Sequence, residues 1–283
     1  MPALAHNINT NDMKRIRIMF FGAAAALFFC GSAPEVSAWG KREHAAIAYI
    51  AEQNLSPKAA KAVSEILEGR KMSSYASWLD YYKQQMLMKL TEPQNGKMLR
   101  TIPHTFQVDS SLHAYRYPEH SCITVIEESM EKLRHSSELN DSTRTQCLLN
   151  IIHLTGDMHC PGHVIYDDQR DRHIGKFDVV YRGQTVLYHK VWDSMVTGET
   201  FAGGIQDLAY FAMTSDKKTI KEFCRGTVYD WGTDTAASSC GIWKIQNGEK
   251  LPATYMYDYS GLALSQIEKA GYRLATLLNT IFR

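Results

Sequence analysis

The sequence predicts a mainly α-helical fold that forms a single domain and includes one small β-hairpin. Apolar residues recur every three to four positions along most of the chain, which is the periodicity of amphipathic helices. Strand-like alternation is confined to a short stretch around residues 177–188. No repeat, low-complexity tract or break in composition divides residues 39–283. We therefore expect one domain across those residues.

Residues 1–38 are predicted to be an export signal. Basic residues precede an apolar stretch, residues 18–29, that is too short to span a bilayer comfortably, and small residues favour cleavage after Ala38. The protein would then be secreted or periplasmic, and Trp39 would carry a free α-amine. A lipoprotein anchored at Cys30 is the less favoured alternative, because a bulky phenylalanine precedes that cysteine.

Cleavage after Ala38 would leave 245 residues, which is enough for one sizeable hydrophobic core. These residues include 28 basic and 28 acidic side chains, so the net charge of the mature chain is zero. A protein that binds polyanions through a surface of lysine and arginine would be strongly basic. For an anionic substrate, most of the positive charge must therefore come from bound metal.

Five cysteines follow the predicted signal, and disulfides are common in exported proteins. We expect the pairs Cys122–Cys147 and Cys224–Cys240, which leaves one thiol unpaired. None of the cysteines has the C-x-x-C spacing of a thiolate zinc site.

The secondary structure is predicted in chain order. Residues 41–53 form an amphipathic helix, and Ser56-Pro57 begins a second one because proline is tolerated in the first helical turn. A third helix begins after Ser73 or Ser74 and includes Asp80. The hairpin turns at residues 182–185. The other long helices are predicted over residues 122–134, 142–158 and 262–281, with two shorter helices before the last.

Two His-Asp pairs point to metal binding. His153 and Asp157, and likewise His189 and Asp193, are four residues apart, so each pair projects from one helix face. A single such pair is usually a surface pair or a hydrogen-bonded core histidine. Both pairs, however, lie within apolar runs, and burial without partners would cost several kcal/mol for each group. A bound metal ion would remove that cost.

Further donors lie at compatible positions in the chain. The α-amine and carbonyl of Trp39 could close around an ion with His44, five residues later. His163 follows Asp157 by six residues, beyond a Pro-Gly pair that must end the helix. Nitrogen and carboxylate donors suit zinc. The other two candidate ligands are Asp80 and His104.

The order of these motifs resembles the S1/P1 nucleases, a family of secreted zinc-dependent enzymes. The resemblance covers essentially the whole mature chain, in the sequences WGKREHAAIAYIA, SWLDYYK, PHTF, HLTGDMHCPGH, LYHKVWD and AGYRLATLLN. It implies the mainly helical fold of the phospholipase C/P1 nuclease type and three zinc ions per chain. By resemblance, one zinc ion would be held by Asp80, His104, His153 and Asp157. A second would take His163, His189 and Asp193. A third would take the amine and carbonyl of Trp39 with His44 and Asp157, which would bridge two ions.

The resemblance also implies roles in catalysis and substrate binding. Zinc lowers the pKa of a bound water, and Asp80 would orient that water and accept its proton. Lys83 would neutralise phosphoryl oxygens, although a solvated helix lysine is nearly as good an interpretation. Phe106 and Asp109 would stack on and hydrogen-bond a base, unless Phe106 belongs to the core.

The chain departs from the family pattern around the expected base pocket. Gly175 stands where the family usually has an Asn that contacts substrate, and Thr105 replaces an aromatic residue. Cys160 and Gly162 stand where the family commonly has Gln and Leu. We therefore expect low base selectivity, weak activity on 3′-nucleotides, and a preference for single-stranded DNA or RNA, whose bases are free to splay. The products would carry 5′-phosphates, and the protein would be a monomer without stable membrane association.

Two other functions remain open from the sequence. The related zinc-dependent phospholipase C enzymes typically use Glu in the second zinc site, where this chain has Asp193. A non-catalytic binding protein would use its metals only to brace the fold, and its Asp80 could then be lost without consequence.

Overall fold

A computed structural model describes residues 39–80, 102–116, 121–166 and 177–283. The predicted export signal, Lys83 and Gly175 lie outside these ranges. The described residues form a mainly helical, single compact unit, as the sequence predicts. Their α-helices are α1 (Lys41–Glu52), α2 (Pro57–Ile66), α3 (Cys122–Arg134), α4 (Asp141–Met158), α5 (Tyr188–Lys190), α6 (Val196–Thr200), α7 (Ile205–Ala212), α8 (Lys217–Phe223), α9 (Val228–Ser239) and α10 (Tyr255–Ile281).

Helix α10 is the central element of the core. It packs along α1, α4 and α6, while α3 packs along α4 and α7 packs on α1. Gly271 allows the close approach of α10 to α1, because an added Cβ would lie 2.5 Å from the Cβ of Ile50. Ile47 of α1, Ile151 of α4 and Leu274 of α10 are buried in the core. The core therefore fixes α1 and α4, the two helices that carry His44, His153 and Asp157.

Two small sheets accompany the helices. The predicted hairpin is confirmed: β3 (Asp178–Tyr181) pairs antiparallel with β4 (Gln184–Leu187). Its two-residue turn, Arg182 and Gly183, has φ angles of 49° and 80°, as a type I′ hairpin turn requires. The sequence did not predict the other sheet, in which β1 (Phe106–Gln107) pairs parallel with β2 (Val164–Ile165).

The helices differ from the sequence predictions in number and in boundaries. Within residues 177–283, five helices (α5 to α9) precede α10, where two were predicted. Helix α10 begins at Tyr255, seven residues earlier than predicted, because burial of Tyr255 and Met256 outweighs the low helix propensity of Gly261. The third predicted helix is a 3₁₀ turn over Met72–Ser74, and helical backbone appears only at residues 78–80, where the described segment ends. Helix α2 begins at Pro57 as expected, and the Oγ of Ser56 caps it by accepting the N–H of Ala59.

The predicted disulfides are absent, and the five described cysteines are free thiols. The Cys147 thiol interacts with Ser129 of the neighbouring helix α3. Cys122 lies seven residues from Ser129, about 10 Å along that helix, which is too far for a disulfide with Cys147. Cys224 and Cys240 flank opposite ends of α9, a helix about 18 Å long.

Among the described residues, no helix combines the length and the apolarity needed to cross a membrane.

Candidate metal centre

Helix α4 positions the first His-Asp pair. Asn140 caps this helix by accepting the N–H of Thr143, and the helix becomes fully buried from Cys147 onward. His153 Nε2 lies 3.2 Å from Asp157 Oδ2. The other ring nitrogen, Nδ1, lies 2.8 Å from the Ala76 carbonyl oxygen and donates to it, so Nε2 is the ring nitrogen that faces Asp157.

Asp80 and His104 complete the group around His153, which we call the Asp80 cluster (Asp80, His104, His153 and Asp157). His104 Nδ1 lies 2.8 Å from Asp157 Oδ2 and 3.3 Å from His153 Nε2. Asp80 Oδ1 lies 3.8 Å from both of these ring nitrogens. Three separate chain segments thus bring their donor atoms to one point, as the resemblance implies.

His163, His189 and Asp193 form a second group, the His163 cluster. The His163 ring donates from Nδ1 to the His104 carbonyl oxygen at 2.8 Å, and its Nε2 lies 3.2 Å from Nε2 of His189. His189 Nε2 also lies 3.2 Å from Asp193 Oδ1. Asp193 belongs to a π-helical segment, Val191–Met195, which directly follows the short helix α5 that carries His189.

His44 joins the N-terminal segment to the Asp80 cluster. Its Nε2 lies 3.2 Å from Asp157 Oδ1, and its ring stacks on that of His153 at a centroid distance of 4.2 Å. Gly156 makes this approach possible, because a Cβ there would lie 2.6 Å from His44 Nδ1. The N–H of Gly40 donates to the Asp193 carbonyl oxygen at 2.6 Å, which ties the start of the domain to the His163 cluster.

Trp39 is completely buried next to this segment. Residues before it lie outside the described part of the chain, so the role of its α-amine as a ligand stays a prediction.

The donor atoms fit divalent cations. Both carboxylate oxygens of Asp157 and both ring nitrogens of His44 are buried and make no hydrogen bond. The oxygens of Asp157 nevertheless lie about 3 Å from ring nitrogens of His44 and His104. Ligands at about 2 Å from a tetrahedral zinc ion are roughly 3.3 Å from one another, close to the spacings found in the clusters. Nitrogen and oxygen donors at this spacing match a zinc site.

The electrostatics of the site favour a cation as well. Burial and the nearby carboxylates of Asp80, Asp157 and Glu43 raise the pKa of Asp193 well above its usual value. Burial also opposes a charge on His153, yet Asp157 and Asp80 outweigh it and raise the pKa of His153 to about 9. A divalent ion among these groups would balance the crowded carboxylates.

The pKa of His163 is shifted in the opposite direction from that of His153. Burial lowers the pKa of His163 to about 4, although Asp157 partly opposes this effect. Its imidazole is therefore neutral at physiological pH, which is the form that binds metal.

The predicted substrate-binding residues receive less support. Lys83 lies outside the described residues. Phe106 is fully buried, so the prediction that its ring stacks on a base is wrong. Pairing of β1 with β2 places the ring in the core, against α9. Asp109 is partly exposed, but its Oδ1 already accepts the N–H groups of Ser111 and His113 in a local turn.

Sequence reasoning overlooked Cys160 as a member of the site. Its Sγ forms a buried group with one donor atom each from His163 and Asp193, all within 4.8 Å of one another. The signal in the sequence was the departure from the family pattern at this position, between Asp157 and His163.

Comparisons with known proteins agree with this architecture. The family model described as S1/P1 Nuclease matches residues 39–283. Endonuclease 2 of Arabidopsis thaliana is 26% identical over 281 residues, covering 89% of this chain and 93% of that relative. Nuclease P1 of Penicillium citrinum is 27% identical over 277 residues, covering 86% of this chain and 97% of the relative. Nuclease S1 of Aspergillus oryzae is 27% identical over 274 residues, with coverage of 86% and 91%.

Proposed function

This chain belongs to the S1/P1 nuclease family, and we propose that it is a zinc-dependent phosphodiesterase that hydrolyses single-stranded DNA and RNA to 5′-phosphorylated products. The names of the relatives, which are nucleases and an endonuclease, support the reaction class. The two clusters and His44 would hold three zinc ions, with the α-amine of Trp39 as a further ligand.

The observation that carries this proposal is the position of Asp157 among three imidazoles. Its Oδ1 faces His44 at 3.2 Å, whereas its Oδ2 faces His104 at 2.8 Å and His153 at 3.2 Å. A carboxylate whose two oxygens face separate sets of nitrogen donors can bridge two cations. This arrangement favours a multinuclear centre, which suits phosphodiester hydrolysis.

Zinc in these positions would lower the pKa of a water ligand to about 7 and offset the negative charge of the phosphodiester. We assign Asp80 as the group that orients the attacking water and accepts its proton. Its Oδ2 makes no hydrogen bond, and its Oδ1 borders the donor atoms of His104 and His153. At 16%, the side chain of His104 has the largest exposed fraction in the centre, so substrate would approach beside His104 and Asp80.

The substrate preference follows from charge and shape. The mature chain has no net positive charge, so the metal centre must provide most of the phosphate binding. A single strand can bring a phosphodiester to a partly buried centre, whereas a stacked duplex resists that distortion. Since Phe106 is in the core, the chain offers no stacking ring at that position, which supports low base selectivity.

Export is part of the same proposal. Cleavage after Ala38 would free the amine of Trp39, and the family match starts at that residue. We propose a secreted or periplasmic, monomeric enzyme.

A substrate panel tests the proposed function. Purified protein is assayed on single-stranded DNA and RNA, double-stranded DNA, 3′-mononucleotides and phosphatidylcholine, before and after chelation. We expect turnover of single strands above duplex, loss of activity on chelation and recovery with Zn²⁺. Cleavage of phosphatidylcholine without turnover of any nucleic acid would instead favour a phospholipase C-like enzyme.

A further inference from the structure

Cys160 is held against the His163 cluster by the turn that ends α4. The N–H of His163 donates to the Cys160 carbonyl oxygen at 2.9 Å, and both residues are completely buried. The Cys160 Sγ, a ring nitrogen of His163 and a carboxylate oxygen of Asp193 lie within 4.8 Å of one another. The thiol is therefore part of a three-residue group rather than an isolated side chain.

Packing around the turn keeps the sulfur in this position. A Cβ on Gly162 would lie 3.1 Å from the Trp192 Cβ, beside Asp193, and 3.7 Å from the Cys160 Sγ. The backbone of Gly162 also hydrogen-bonds to the sulfur. Cys160 is a free thiol, so a disulfide does not explain its burial here.

We propose that Cys160 is an additional ligand of the metal ion held by His163, His189 and Asp193. This inference rests on the metal centre of the proposed function and adds a sulfur donor to it. When the ion binds, the S–H bond breaks, a sulfur–metal bond forms and the proton passes to solvent. The oxidation state of sulfur and metal does not change.

The thiolate would alter the character of this ion. Three imidazole or carboxylate donors leave one position of a tetrahedral zinc ion open, whereas a fourth protein ligand closes it. The site would hold its ion more firmly. It would also favour soft, thiophilic metals more strongly than the Asp80 cluster does. Water activation would then depend on the Asp80 cluster.

Cobalt substitution tests the proposal spectroscopically. Wild-type protein is stripped with a chelator and reloaded with Co²⁺. We expect a thiolate-to-cobalt charge-transfer band in the near ultraviolet in addition to the visible bands of tetrahedral cobalt. Cys160→Ser should lack the near-ultraviolet band, while Cys147→Ser, which removes a cysteine on α4 outside the cluster, should retain it. The zinc retained by Cys160→Ser after dialysis should fall by about one ion per chain.

Two results would overturn the proposal: cobalt-loaded wild-type protein without the near-ultraviolet band, or a band that persists in Cys160→Ser. If Cys160→Ser does not fold, Cd²⁺-loaded wild-type protein provides the decision, because ¹¹³Cd chemical shifts distinguish a sulfur ligand from nitrogen and oxygen ligands alone. Nuclease activity is measured in parallel on zinc-loaded wild-type protein. Nuclease activity without the cobalt band or cadmium shift of a sulfur ligand rejects only Cys160 as a ligand. Either sulfur signal without nuclease activity supports the Cys160 ligand and contradicts the proposed function.

Discussion

The aspartates of the centre differ in the number of groups that each contacts. Asp157 is completely buried and faces His44, His104 and His153, all within 3.2 Å. Asp80 lies at the edge of its cluster, 3.8 Å from the nearest ring nitrogens, and retains some exposure. Loss of the Asp157 charge should therefore affect metal binding and folding, whereas loss of the Asp80 charge should affect turnover.

Substitution of each aspartate separates these roles. Asp157→Asn should lower zinc content and reduce stability by about 3–5 kcal/mol, the range for breaking a buried charge pair. Asp80→Asn should lower kcat roughly 10²–10⁴-fold, as loss of a general base does, with a smaller loss of zinc. Asp258→Asn, on the exposed first turn of α10, serves as the control. Equally mild effects of Asp80→Asn and Asp157→Asn on all three quantities would refute the assignment.

His159 predicts how stability depends on pH. Its buried ring donates from Nδ1 to the Thr155 carbonyl oxygen and accepts at Nε2 from Arg273, so it is neutral. Burial and the Arg273 guanidinium lower the pKa of His159 to about 3. In the unfolded chain the ring takes up a proton below a pKa of about 6.5. The contribution of neutral His159 to the free energy of unfolding is therefore complete above pH 6.5 and is lost as the pH falls toward 3.

Replacement of His159 should flatten this pH dependence. Below pH 6.5, we expect the unfolding free energy of the wild type to fall more steeply than that of His159→Gln, by about 1.4 kcal/mol per pH unit. Urea unfolding of both proteins at saturating zinc, between pH 4.5 and about 7, measures this difference. Protonation of the metal ligands affects both proteins alike and therefore cancels in the comparison. Parallel curves would exclude His159 as the titrating group.

Individual residues of the centre were partly predictable from the sequence. The four-residue spacing of His153 and Asp157 places both on one helix face, and a buried helix makes their contact almost unavoidable. Phe106 was not predictable, because its burial depends on pairing with Val164, 58 positions later. Cys160 was overlooked because a lone cysteine has no spacing pattern that indicates a ligand.

Elements with long apolar periodicity were predicted well, and those set by tertiary contacts were not. Helix α3 has the predicted bounds, and the hairpin followed from its turn residues. The two-residue strands β1 and β2 carry no periodicity of their own. The π-helical segment at Val191–Met195 resembles an ordinary helix in sequence, and only the folded protein reveals its wider turn.

The contact between α1 and α10 gives a prediction at this scale. Gly271→Ala would place a methyl group 2.5 Å from Ile50 and should destabilise the protein by about 1–3 kcal/mol through overpacking. Gly261→Ala, on the same helix, meets no atom within 4 Å and should stabilise by about 0.5–1 kcal/mol, because alanine favours helix. Chemical unfolding of both variants tests this, and a Gly271→Ala variant as stable as Gly261→Ala would contradict the close helix contact.

The molecule as a whole combines a net charge close to zero with a buried set of titratable groups. Because the net charge gives little attraction for a polyanion, the proposed function depends on the centre, where α1, α4 and the π-helical segment meet. The N-terminal segment joins both clusters, through His44 at Asp157 and through Gly40 at Asp193. Processing of the chain and assembly of the centre should therefore be linked.

An N-terminal extension tests that link. A form that retains one residue before Trp39 converts its α-amine to an amide, which is a poor metal ligand. It should bind about one zinc ion fewer and lose most of its activity, while the fully processed protein retains both. Mass analysis of the intact protein verifies each N-terminus. Full activity and zinc content in the extended form would exclude the amine as a ligand.

The proposed function depends on one multinuclear zinc centre built from the nine predicted ligands, and the metal content of the protein tests this centre. Native protein that begins at Trp39 is purified without chelators, and its zinc and protein content are determined by elemental and amino-acid analysis. The proposed centre predicts about three zinc ions per chain. Fewer than two ions per chain would contradict it.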